Sequence, residues 1–117
     1  MDFKTELIRI VERDIPELAS KIQIGAVDAQ TAAPYALLST PPETPIRTFD
    51  GIVGYDVTFE MSIFHTRLAE LESLKIKLIN TLEGAALADN TSYYKTGEYD
   101  FFHEYNLHSY SLTFQIS

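Results

Sequence analysis

At 117 residues the chain has room for one hydrophobic core, and 45% hydrophobic with 22% charged residues marks a folded domain, not a disordered one. It has no cysteine, which removes disulfides, thiolate metal sites and cysteine nucleophiles. Seventeen acids against nine bases give a formal charge of −8, spread along the chain, with no basic cluster. Such a surface repels a phosphate backbone and argues against sequence-specific nucleic-acid binding.

The N-terminus carries charges from Asp2 onward, unlike a signal peptide, and no apolar run approaches the roughly 20 residues that span a bilayer. Phe3, Leu7, Ile10 and Val11 then step by three and four, which predicts an amphipathic helix, with Asp2 as its N-cap. Asp14, Pro16 and Glu17 resemble a helix restart, with Asp14 capping and proline early, running through about Ser20. Ile22 and Ile24 suggest a short strand before Gly25. Residues 26–34 form a connection, and Tyr35 to Ser39 reads as another strand.

Pro41, Pro42 and Pro45 each lack the ladder N–H, so residues 40–50 are expected to be extended and exposed. Val53, Tyr55, Val57, Phe59, Met61 and Ile63 alternate with Gly54, Asp56, Thr58, Glu60 and Ser62. That period of two predicts a strand with one buried and one wet face. From Thr66 a second helix sets Leu71, Leu74, Leu78 and Leu82 along one stripe, and Gly84 suits the position just past its end. After a small-residue link over 85–92, the run 93–102 alternates weakly. The run 108–116, with His108, Tyr110, Leu112, Phe114 and Ile116 on one side, alternates strongly.

Chemistry-bearing patterns are sparse. His65, His103 and His108 match no metal-ligand spacing. Asp56 with Glu60, and Glu98 with Asp100, are same-face carboxylate pairs best read as solvated or interface charges, because a division into acid and base requires burial. Gly51 and Gly54 run into a strand and form no phosphate loop, and no serine sits in a nucleophile elbow. No catalytic, cofactor or metal site is therefore expected. The rings of Tyr93, Tyr94, Tyr99, Phe101, Phe102, Tyr105 and Tyr110 crowd the last quarter beside a single cation, Lys95. Core packing or a protein interface explains them better than nucleic acid or glycan stacking.

These residues imply one α+β domain over 1–117, an antiparallel or mixed sheet of four to five strands, with two main helices packed on one face. Within this order of elements, the stretches Pro34-Tyr35-Ala36-Leu37-Leu38 and Val57-Thr58-Phe59-Glu60-Met61-Ser62-Ile63-Phe64, followed by the leucine-striped helix, carry a resemblance. The chain resembles the tail-completion or tail-terminator proteins that join head and tail in tailed phages and prophages.

The resemblance implies a non-enzymatic subunit, commonly hexameric, in a ring at the head-proximal end of the tail. Such a ring stops tail-tube growth, docks the head connector and lets DNA pass through its lumen. The implied partners are further copies of the chain, tail-tube protein and head-connector protein. The implied location is the virion tail, assembled in the host cytoplasm. An acidic lumen would not grip passing phosphates.

Candidate interface residues are Asp56, Thr58 and Glu60 on the wet strand face, Arg47 and Phe49 as anchors of the 40–50 arm, and Tyr99, Phe102 and Tyr105 among the late aromatics. The alternative reading is another protein–protein adaptor or a small ligand-binding α+β domain.

Overall fold

The computed structural model describes residues 3–25, 33–40, 44–87 and 90–116, and at 44 and 53–56 the backbone alone. Asp2 and its expected capping role lie outside the described residues. Helix α1 (Phe3–Asp14) buries Leu7, Ile10 and Val11, the predicted stripe. On its outer side Arg9 pairs with Glu6 at 3.0 Å.

Asp14 does not cap the next turn. Its carboxylate pairs with Arg13 at 2.9 Å, and Ile15 holds the cap position of the 3-10 turn Pro16–Leu18 with no side-chain cap bond. That turn serves the core instead, because Ile15 and Leu18 are both fully buried.

Seven strands follow, interrupted by one helix: β1 (Ile22–Ile24), β2 (Tyr35–Ser39), β3 (Thr44–Thr48), β4 (Gly51–His65), α2 (Leu68–Leu82), β5 (Ala86–Leu87), β6 (Asn90–Phe102) and β7 (Leu107–Ile116). Their order is β1-β2-β4-β7-β6-β5, with β3 paired to the first part of β4. Among the described residues only β1 and β2 run parallel.

The expectation of four to five strands is thus corrected to seven among the described residues. The two additional ones, β3 and β5, are short and take their identity from a hairpin partner rather than from their own alternation. β3 contains Pro45, which an edge strand tolerates. β5 has two residues, opposite Asn90 and Thr91.

The predicted alternation in β4 and β7 orders the centre. Phe59 faces Phe114, Met61 faces Leu112 and Ile63 faces Tyr110, all on the side covered by helices. Against them pack Leu71, Leu74, Leu78 and Leu82 of α2, together with the α1 stripe, in one hydrophobic cluster. Gly84, at φ 73°, ends α2 where a left-handed backbone suits glycine, and its N–H donates to the Ser92 carbonyl at 2.8 Å. The buried Ser92 hydroxyl donates in turn to the Leu82 carbonyl, so the helix end is bonded to β6.

Lys77 of α2 reaches Glu17 in the 3-10 turn at 2.9 Å. This hydrogen bond holds the Glu17 carboxyl below its ordinary range. A depressed folded-state pKa adds stability above the unfolded pKa that disappears as pH falls through the folded value. Both side chains are half exposed, so the contribution stays under about 1 kcal/mol. Lys77→Met is therefore expected to lower stability slightly at neutral pH and not at all once carboxyls are protonated, as urea unfolding at the two pH values would read.

Candidate interface surfaces

β4 is long enough to take part in two structures. Residues 57–65 pair with β7 in the body of the sheet, whereas residues 51–56 pair with β3 as a two-stranded ribbon. The ribbon leaves the body, and the molecule extends 51 Å along one axis against 28 and 23 Å across. Its radius of gyration is 15.1 Å, larger than the roughly 13 Å of a compact chain this long. At the ribbon tip Phe49 is completely exposed, with Ile46, Arg47 and Ile52 exposed beside it. Arg47 has no acidic partner among the described residues.

At the far end of β4, His65 accepts the Arg67 backbone N–H at Nδ1 (3.1 Å), and its Nε2 meets Glu70 at 2.9 Å. This fastens the strand to the start of α2. A half-open depression beside that joint is lined by Glu17, Pro34, His65, Glu70, Ser73, Leu74 and Lys77. Its charged groups are already engaged with one another, through the Glu17–Lys77 and His65–Glu70 pairs. Among the described residues, no group of three or more His, Asp or Glu side chains gathers to hold a metal ion, and no helix is long and apolar enough to cross a membrane.

The sheet face turned away from the helices carries Thr58 and Glu60, both half-buried. Opposite them on β7 stand Gln115 and Thr113, and Ser62 shares a 3.0 Å hydroxyl contact with Ser111. At the His65 end this face turns aromatic: Tyr35 stacks on Phe64 at 4.7 Å, and Phe102 lies 6.4 Å beyond Phe64. Burial raises the pKa of Tyr35.

Tyr99, by contrast, sits on the helix-covered side. Its hydroxyl meets His108 Nδ1 at 2.6 Å and its ring tilts on Tyr110. Tyr110 also carries Lys75 over its ring at 4.5 Å and hydrogen-bonds Glu72. Burial and the Glu72 charge raise the Tyr110 pKa.

The predicted residues therefore divide among three places. Arg47 and Phe49 mark the ribbon tip, Thr58 and Glu60 the open face, and Tyr99, Phe102 and Tyr105 the β6–β7 end. The side chain of Asp56 lies outside the described residues.

Residue spacing did not find Ile46, Ile52 or the exposed edge of β6. The available signal was the charge at Lys95, Glu98 and Asp100, the kind of side chains that edge strands carry. The alternation expected over 93–102 also changes. A bulge between Tyr94 and Thr96 puts Tyr94 and Gly97 on the same side, opposite Phe114 and Leu112.

No family profile and no curated protein sequence matches the chain. Among solved structures, its fold is similar to that of a chain in a structure described as the virion of a native gene transfer agent (GTA) particle. The TM-score is 0.66, with 15% identity over 94% of this chain and 89% of that one, and at such identity the likeness establishes a shared fold.

Proposed function

We propose that this chain is a non-enzymatic structural subunit of a phage-like particle, its 117 residues acting as one domain. In this reading it closes with further copies into a ring, commonly hexameric, at the head-proximal end of a tail tube. The ring ends tube growth and offers the surface to which a head connector joins. The observation that carries the reading is the fold shared over 94% of the chain with a component of a gene transfer agent virion.

Two further features agree with it. The molecule carries exposed apolar and aromatic groups at both ends, the ribbon tip with Phe49 and the β6–β7 end with Tyr105, as a subunit with neighbours on two sides requires. Its charge of −8 suits a ring through which DNA slides without being held.

Absolute mass by light scattering across a concentration series tests the ring. The expected result is a discrete species at six times the 13.2 kDa chain mass. A monomer at every concentration would count against a ring that closes by itself.

A further inference from the structure

We propose that the β3–β4 ribbon of one copy adds to the open outer edge of β6 in the next, joining the copies by sheet extension between unlike surfaces. The inference rests on the assembly reading above and names the contact that builds it.

The first observation is the edge itself. β5 covers only Asn90 and Thr91, and the Ser92 backbone is bonded to Gly84 and Ala85. The Tyr94 N–H is then occupied by the Glu83 carboxylate at 2.6 Å. From residue 95 to 102 no strand among the described residues pairs with this side of β6, a length of about 26 Å. The Phe101 N–H on this stretch donates to the Asp100 carboxylate at 2.8 Å, a side-chain bond that an incoming strand would displace, and backbone groups with no strand partner are a template for another strand.

The second observation is the ribbon. Two strands alone are marginally stable in water, yet this pair stands outside the body with Ile46, Phe49 and Ile52 exposed. Covering its edge and its apolar side chains with a neighbouring sheet would stabilise it.

Charge chooses the occupant. Copies carrying −8 each repel one another in general, and Glu98 and Asp100 guard the β6 edge against acidic strands. Neither has a cationic partner among the described residues, and Arg47 has no acidic one. The ribbon of a second copy brings that cation to those carboxylates, and its own acids, Asp50 and Asp56, are answered by Lys95 on the same β6 edge, so each surface carries both signs. Exposed Phe102, next along β6, adds an aromatic surface for the ribbon's apolar side chains. The bulge at Tyr94 and Thr96, and Pro45 in β3, restrict register and discourage indiscriminate pairing. Because the two surfaces differ, repetition closes a ring or continues as a filament, according to the rotation per step.

The absence of cysteine makes the test direct. Ile46→Cys and Thr96→Cys variants, both at exposed positions, are treated with a short bis-maleimide, separately and mixed. The expected result is covalent dimer only in the mixture, and a ladder of higher species from the double variant. Arg47→Glu in the Ile46→Cys chain should cut the mixed yield about tenfold. Glu98→Arg with Asp100→Arg in the Thr96→Cys chain should restore it, which damage to folding could not do. Dimers from a single variant alone would overturn the proposal in favour of like-on-like contact. No linkage in a mixture that light scattering shows to be oligomeric would overturn this contact and leave the ring standing. No linkage in a monomeric sample would overturn both this contact and a ring that closes by itself.

Discussion

Replacing Phe59 by alanine should lower the unfolding free energy by about 3–5 kcal/mol, against a total of roughly 5–15 kcal/mol for a domain of this kind. Phe59 is fully buried where three elements meet. Its ring stacks on Phe114, its partner across β4 and β7, at 5.1 Å and 13°, and tilts on Phe3 of α1 at 5.7 Å. Alanine removes the transfer energy of the ring and leaves a cavity that a helix-covered sheet cannot collapse to fill. Urea unfolding of the purified chain measures the loss. Phe49→Ala serves as the contrast, since that ring is completely exposed in one copy. Its stability should change by no more than about 0.5 kcal/mol. An equal loss at the two positions would contradict the burial pattern of the fold.

The second large effect is expected at Gly97, where alanine should cost about 1–3 kcal/mol. A Cβ added there would stand 2.7 Å from the Tyr94 hydroxyl and 2.8 Å from Leu112 Cδ2. The backbone at Gly97 is not left-handed, unlike that of Gly25, Gly51 and Gly84, so the cost is one of space. Leu112 is fully buried opposite Met61 and has no room to retreat, whereas the half-buried Tyr94 must swing its hydroxyl away from its place over Gly97. Leu112→Val removes one of the two obstructing groups. The double variant with Gly97→Ala should therefore lose less than the sum of the single losses, a coupling that unfolding measurements resolve. Strict additivity would show that the close approach is not what requires glycine.

Gly97 also shows why this part of the chain was hard to read in advance. Simple alternation places Gly97 with Tyr93 and Lys95, across from Tyr94. The bulge between Tyr94 and Thr96 resets the count and joins Gly97 to the Tyr94 side. One extra residue in a strand leaves no mark on composition, yet it reverses the face of everything after it. The 40–50 segment was legible as extended and exposed because its prolines exclude a central strand. That its described part forms a hairpin with β4, and stands apart from the sheet, depends on a partner strand. Asp14 was misread for a related reason. Its capping pattern was present, but the neighbouring Arg13 took the carboxylate and the turn was placed by burial of Ile15 and Leu18.

Of the candidate interface residues, the sequence offered Phe49 as an anchor of the 40–50 arm and Tyr105 among the late aromatics, and both are exposed. It also named Tyr99 and Phe102 together as candidates, while the alternation over 93–102 set them on opposite faces. The fold turns them to different sides of the sheet, Tyr99 toward His108 and Tyr110 and Phe102 toward Phe64.

By itself, the sequence determined the elements with repeated patterns: the two helices, the long alternating β4 and the closing β7. In each, one face is apolar over many residues, so burial is specified many times over and no single local choice can reverse it. The strands at Ile22 and Ile24, at Tyr35 to Ser39 and over 93–102 were legible too, but tertiary structure alone decided how the strands pair. The two-residue β5, the hairpin of β3, the bulge in β6 and the uncovered edge beyond Tyr94 are all defined by which backbone pairs with which. A hydrogen-bonding edge belongs to the main chain, which is the same at every residue. No side-chain pattern records whether its partner is present.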